Sequence, residues 1–162
     1  MSDFYQQIED GLVRHLQMLS DLADVQTFSA EALPLVFSTE QLAKRFAVTE
    51  LPAVRLSTQT LPTRSEPSAA GMIVYRIPLD VDVVVAHQER ETARRRALEI
   101  QMALVPELHR LGRGLDAETV WGANVFVGDE IESTLVLVEG KTHQFAIATI
   151  EATVERYVGL DD

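Results

Sequence analysis

Residues 72–112 constrain this chain more than any other segment. Ile73, Tyr75, Ile77, Leu79, Val81, Val83 and Val85 take every second position, with Val74, Arg76, Pro78, Asp80, Asp82 and Val84 between them. A period of two places the first set on one face of a strand, predicted over 72–86. Ala93, Ala97, Ile100, Leu104, Leu108 and Leu111 then recur at steps of three and four. They form the apolar stripe of a helix, predicted over 88–112. A half-buried strand that runs with almost no loop into a half-buried helix is satisfied when the two bury their apolar faces on each other. Nothing in this layout encodes a catalytic cleft.

The flanking sequence extends the same architecture. Asp3 is placed to cap a first helix over 4–22, with Phe4, Ile8, Leu12, Leu16 and Leu19 as its stripe. Gly11 inside it costs up to ~1 kcal/mol against alanine. A short strand is expected at 25–28. Ser38 and Gln41 have capping-box spacing for a helix ending near 48, faced by Leu42, Ala43 and Phe46. Leu51-Pro52-Ala53-Val54-Arg55-Leu56 reads as a strand whose early proline suits a strand start or sheet edge. Residues 58–71, with Pro62, Pro67 and a closing Gly71, read as a long hairpin loop or arm, disordered in the free chain or ordered against a neighbouring subunit.

After the long helix, Gly112 and Gly114 give a stop. A strand carrying Trp121-Gly122 is expected over 118–127. In the strand expected over 130–138, Ile131, Ser133, Leu135 and Leu137 alternate with Glu132, Thr134, Val136 and Val138. Glu139-Gly140-Lys141 is a turn signal. A long last strand over 143–158 sets Ala146, Ala148, Ile150, Ala152 and Val154 against Thr149, Glu151, Thr153 and Glu155. The fold class is α+β: a mainly antiparallel β-sheet with one long helix and an N-terminal helix packed on one face. The 162 residues are expected to form a single domain, 1–162, with an arm at 58–71.

Composition narrows the chemistry. The chain has no cysteine, which excludes disulfides, thiolate metal sites and cysteine nucleophiles and fits folding in a cytosol. No signal peptide or membrane-spanning stretch is expected. With a net charge of −11, the chain lacks the basic surface that holds nucleic acid by counterion release. Residues 115–139 contain six acidic side chains and no Lys or Arg, a solubilising surface or one that repels DNA.

His15, His87, His109 and His143 are scattered without metal-ligand spacing, and His109 is placed to interact with the end of the long helix. Asp80 and Asp82 share the polar face of the long strand with Arg76. Paired carboxylates can bind metal or move protons, but acids are expected on a polar face, and a contact between subunits fits them better. Arg90, Arg94, Arg95 and Arg96 interleave with Glu89, Glu91 and Glu99, and Glu91–Arg95 has i,i+4 spacing. This pattern reads as a salt-bridged face, solvated or between subunits, rather than a phosphate site. No glycine-rich phosphate loop, G-x-S-x-G or dinucleotide fingerprint is present, so no catalytic, cofactor-binding or metal-binding residue is assigned.

In the order of these pieces the chain resembles the tail terminator or tail-completion (minor tail) proteins of long-tailed bacteriophages and related tail-like particles. The resemblance lies in layout: the helix of Phe4 to Leu22, the Leu51-Pro52-Ala53-Val54-Arg55-Leu56 strand, the arm, the long strand from Ile73 to Val85, the single long helix, the Trp121-Gly122 segment and the long closing strand. It implies a structural protein, not an enzyme, that closes into a homo-oligomeric ring, usually a hexamer, on the end of the tail tube. Such a ring stops tube polymerisation and offers a surface to the head–tail connector protein. The protein would assemble in the host cytoplasm and reside at the head-proximal end of the virion tail, with DNA passing through its lumen without specific binding.

On this reading Arg76, Asp80, Asp82, Arg90, Arg94 and Arg95 are candidate intersubunit contacts, and Pro62, Arg64 and Pro67 belong to the arm. Asp116, Glu118, Asp129, Glu130 and Glu132 are candidates for an acidic lumen or surface. A head–tail connector or neck protein shares the same pattern. A small-ligand binding α+β module would instead use Asp80, Asp82 and His87 as convergent polar groups. The helix stripe has a direct test. Leu104→Asp puts a charge into the helix–sheet contact and is expected to cost several kcal/mol, enough to unfold a marginal domain; a variant that melts with the parent would show the stripe to be misassigned.

Overall fold

A computed structural model describes residues 2–29, 52–58, 61–112, 115–140 and 142–160. The helix expected over 38–48 lies outside the described residues. The sheet is built on two strands, β4 (Met72–His87) and β7 (Gln144–Gly159). They pair antiparallel along their full length, from Met72 opposite Gly159 to His87 opposite Gln144. Four shorter strands cover the outer edges of this spine. On the β4 side, β2 (Ala53–Ser57) pairs with 80–84 and β3 (Arg64–Ser68) with 72–76. On the β7 side, β6 (Glu132–Glu139) pairs with 144–151 and β5 (Val125–Val127) with 154–156. Only β1 (Gln26–Ser29), added parallel to β2, departs from the antiparallel pattern among the described strands.

Period-two burial follows the sequence. Ile77, Leu79, Val81, Val83 and Val85 of β4 and Ala146, Ala148, Ile150, Ala152 and Val154 of β7 are buried. Against them lie α1 (Ser2–Gln17) and α2 (Arg90–Arg110). The stripe of Ala93, Ala97, Ile100, Leu104, Leu108 and Leu111 is no more than 1% exposed, so Leu104 sits in the helix–sheet contact as expected. Gln101 is the polar member of the buried helix face. Its amide donates to the carbonyls of Thr134 (3.1 Å) and Thr149 (3.3 Å), which removes the penalty of burying it. His15 of α1 meets Glu107 of α2 at 3.3 Å. The guanidinium of Arg156 lies 4.0 Å over the Phe4 ring, a cation–π contact at the start of α1.

Several local expectations are corrected. The first helix ends at Gln17 rather than near 22, and a separate 3₁₀ turn, Ser20–Leu22, carries the buried Leu22. Asp3 falls within this helix, not ahead of it. Residues 118–127 do not form one strand: Leu115–Trp121 is a third helix, α3, and only Val125–Val127 is extended. The amide of Gly122 donates to the carbonyl of Glu118 at 2.8 Å. Gly122 then turns the chain at φ 88° and Asn124 at φ 66°, left-handed conformations that Gly and Asn adopt most readily. β3 folds onto β4 through a 3₁₀ turn at Ala69–Gly71. The base of this hairpin is tied to α1 by Thr58, which donates to Glu9 at 2.8 Å, and by Thr63, 2.7 Å from the Tyr5 hydroxyl.

Pro78 interrupts an otherwise hydrogen-bonding strand where the interruption costs least. Residues 77–79 fall between the stretches of β4 that β3 and β2 pair. A residue without an N–H is tolerated where a neighbouring strand is missing.

Gly11 of α1 is explained by contact rather than propensity. An added Cβ would lie 2.9 Å from both Trp121 Cδ1 and the Val120 carbonyl oxygen of α3. The Trp121 indole N–H donates to the Ile8 carbonyl at 3.0 Å across the same junction. Gly11→Ala is therefore expected to destabilise the fold by about 1–3 kcal/mol, against the gain that helix propensity alone would give. Thermal melts decide the sign.

Candidate interaction surface

The face of the sheet turned away from α1 and α2 carries Arg76, Asp80 and Asp82 of β4 and Thr149, Glu151 and Glu155 of β7. Cross-strand register arranges them in rows. One row runs Arg55, Asp82, Thr149, Thr134; the next runs Ser57, Asp80, Glu151, Glu132; a third runs Arg64, Arg76, Glu155, Phe126.

The first row is satisfied inside the chain. Arg55 is only 6% exposed, and its Nη1 donates to Asp82 Oδ2 at 3.4 Å. The Thr149 hydroxyl donates to Asp82 Oδ1 at 2.8 Å. Burial pushes the Asp82 carboxyl above the ordinary aspartate value. The Thr149 hydrogen bond and the Arg55 charge pull it back, and the neighbouring Asp80 charge pushes it further up. Asp82, expected to contact a neighbouring subunit, thus holds β2, β4 and β7 together.

The second and third rows open into a shallow depression of about 350 Å³. Its lining includes Arg64 and Arg76, the carboxylates of Asp80, Glu130, Glu132 and Glu151, and Leu61, Pro62 and Pro78. The structure thereby collects residues expected to serve separate purposes: Pro62 and Arg64 of the arm, Arg76 and Asp80 of an intersubunit contact, and Glu130 and Glu132 of an acidic surface. Pro67 pairs with Ile73 on the edge strand β3, outside the depression. Arg76 is ion-paired with Glu66 of β3.

The remaining carboxylates lie elsewhere. Asp116 and Glu118 are exposed in the first turn of α3, where acids complement the helix dipole. Asp129 lies in the connection between β5 and β6. Glu151 completes the acidic row but was not distinguishable in the sequence, because its position opposite Asp80 and Glu132 is set by register alone.

The arginines of α2 form a second charged patch, in the helical layer. Arg94 pairs with Glu91 at 3.1 Å, not Arg95 with Glu91. Arg96 reaches Asp24 at 2.7 Å and Glu99 at 3.4 Å. Arg90 and Arg95 are exposed and make no ion pair among the described residues. His87 accepts the Glu89 amide on its Nδ1 at 2.9 Å, which fixes the strand-to-helix turn. No group of three or more His, Asp or Glu among the described residues is arranged to hold a metal ion.

The Asp82 environment makes a signed prediction. Its folded-state pKa is raised, so the native chain holds this proton more tightly than the unfolded chain. The contribution to stability falls as pH rises from 3.8 through the folded value. Asn at this position mimics the protonated form. The stability of Asp82→Asn relative to the parent should therefore improve as pH rises through that window; chemical denaturation at stepped pH would refute this if the gap stayed constant or closed in the parent's favour. A scan of the chain against protein-family models gives no match, and a search of the curated proteins gives no relative.

Proposed function

We propose that this chain is a structural, ring-forming subunit of a phage-type tail, which caps the end of the tail tube and joins it to the head connector. The observation that carries the reading is the division of the sheet into two unlike faces. One face is sealed by α1 and α2 through an apolar core. The other presents the open charged depression, edged by the β3 hairpin. A domain that buries one sheet face and leaves the other charged and open has a surface available for a neighbour. The layout resemblance to tail terminators supplies the kind of neighbour: copies of itself, the tail tube protein and the connector protein.

The charge is consistent with DNA passage. At −11 per chain, a closed ring of several copies carries a strong negative field, and carboxylates along its lumen would repel the phosphates of DNA moving through. Asp116, Glu118, Asp129 and Glu130 remain the candidates for that surface. A ring of six is the expected stoichiometry.

The test is assembly. Purified protein added to polymerising tail tube protein should shorten the tubes and appear as a ring at one end in electron micrographs. Binding to the isolated connector without any effect on tubes would favour a neck protein, and binding to neither would refute the tail reading.

A further inference from the structure

We infer that copies of this chain meet head to tail, with Arg90 and Arg94 of α2 in one copy seated against the Glu132–Glu151 carboxylates on the open sheet face of the next. The inference rests on the self-assembling reading above and adds which surfaces meet.

The sheet supplies an unbalanced site. Glu132 stands directly opposite Glu151, and Glu151 opposite Asp80, on three neighbouring strands. Like charges at opposed positions destabilise a sheet. Neither Glu132 nor Glu151 has an ion pair among the described residues. Of the guanidiniums on the same face, Arg55 is held by Asp82, Arg76 is engaged by Glu66, and Arg64 lies on β3, opposite Arg76. Glu132 and Glu151 thus face each other with no cation paired to either among the described residues.

The helix supplies the complement. Four of the chain's 14 basic residues fall within residues 90–96. Arg96 is held by Asp24 and Glu99. Arg90 has no ion pair among the described residues. Arg94 is bound only to the exposed Glu91 three residues away, a surface pair of the kind that contributes little. Arg90 and Arg94 are four residues apart, so both project from one flank of the helix with Cβ atoms about 5–6 Å apart. The Cβ atoms of directly opposed cross-strand residues are about 4.5–5.5 Å apart. Two guanidiniums at one spacing therefore match two carboxylates at nearly the same spacing, which suits charge-assisted pairing.

A second copy is the occupant this geometry favours. Chains carrying −11 each repel one another at long range, so self-association needs a local patch of opposite sign, and residues 90–96 provide one. Because the two patches lie on different layers of the same chain, the contact is heterologous and propagates until the rotation closes it into a ring.

Charge exchange tests the contact. Glu132→Arg/Glu151→Arg and Arg90→Glu/Arg94→Glu alter solvent-facing positions and should melt near the parent. Each double variant is expected to raise the concentration for half-assembly by about tenfold or more, read by light scattering with size exclusion. The chain carrying all four substitutions should assemble again, because its patches are reversed together. The contact is overturned if the parent is monomeric at every concentration, if either double variant assembles like the parent, or if the fourfold variant fails to recover. Tube capping is scored separately: a parent that assembles and responds to charge exchange but leaves tail tubes unaffected would count against the tail reading while leaving the contact standing.

Discussion

Pairing of β4 with β7 over sixteen residues is the constraint on which the rest of the molecule depends. Once that register is fixed, alternation assigns every residue of both strands to a face. The core-facing set is unequal across the pair. β4 contributes Leu79, Val81, Val83 and Val85, while β7 contributes Ala146, Ala148 and Ala152 around Ile150. Small side chains on one strand leave room for the large residues of the helix above, and Ala93 and Ala97 let α2 approach closely at its start. A slip of one residue would carry Asp80 and Asp82 into the core if β4 shifted, or Glu151 if β7 did. The hydrophobic contact and the strand register therefore select each other.

The parts legible in the sequence are those where one face is buried over many residues. β4, β7 and α2 each repeat their period several times, and β6 shows it through Leu135 and Leu137, which pack on the core. α3 reads as a strand because seven residues give too few turns for a helical period to emerge, and Thr119, Val120 and Trp121 favour strands locally. The contact that overrides this preference, Trp121 against Gly11 and Ile8, spans more than a hundred residues. The strand within the 58–71 hairpin or arm carries no periodic signal for the opposite reason. Its residues are mostly exposed, so no burial pattern marks it, and it is held by backbone pairing with β4.

The charged face was legible residue by residue but not as a site. Asp80, Glu132 and Glu151 belong to three strands, and only register makes them neighbours. Asp80 and Asp82 look alike in the sequence, yet the register gives them different lives. Asp82 meets Arg55 and Thr149 and becomes part of the framework, while Asp80 stands in line with two further carboxylates. Arg55 illustrates the same limit: the fold buries it at 6% exposure opposite the carboxylate of Asp82, a pairing set by the register of β2 on β4.

The proline at 78 separates the ladder of β3 from that of β2, leaving a three-residue stretch of β4 that neither strand pairs. Among the described strands, the ladder along that edge is interrupted there. The 64–68 and 53–57 segments are therefore seated on separate stretches of one strand, each with its own register.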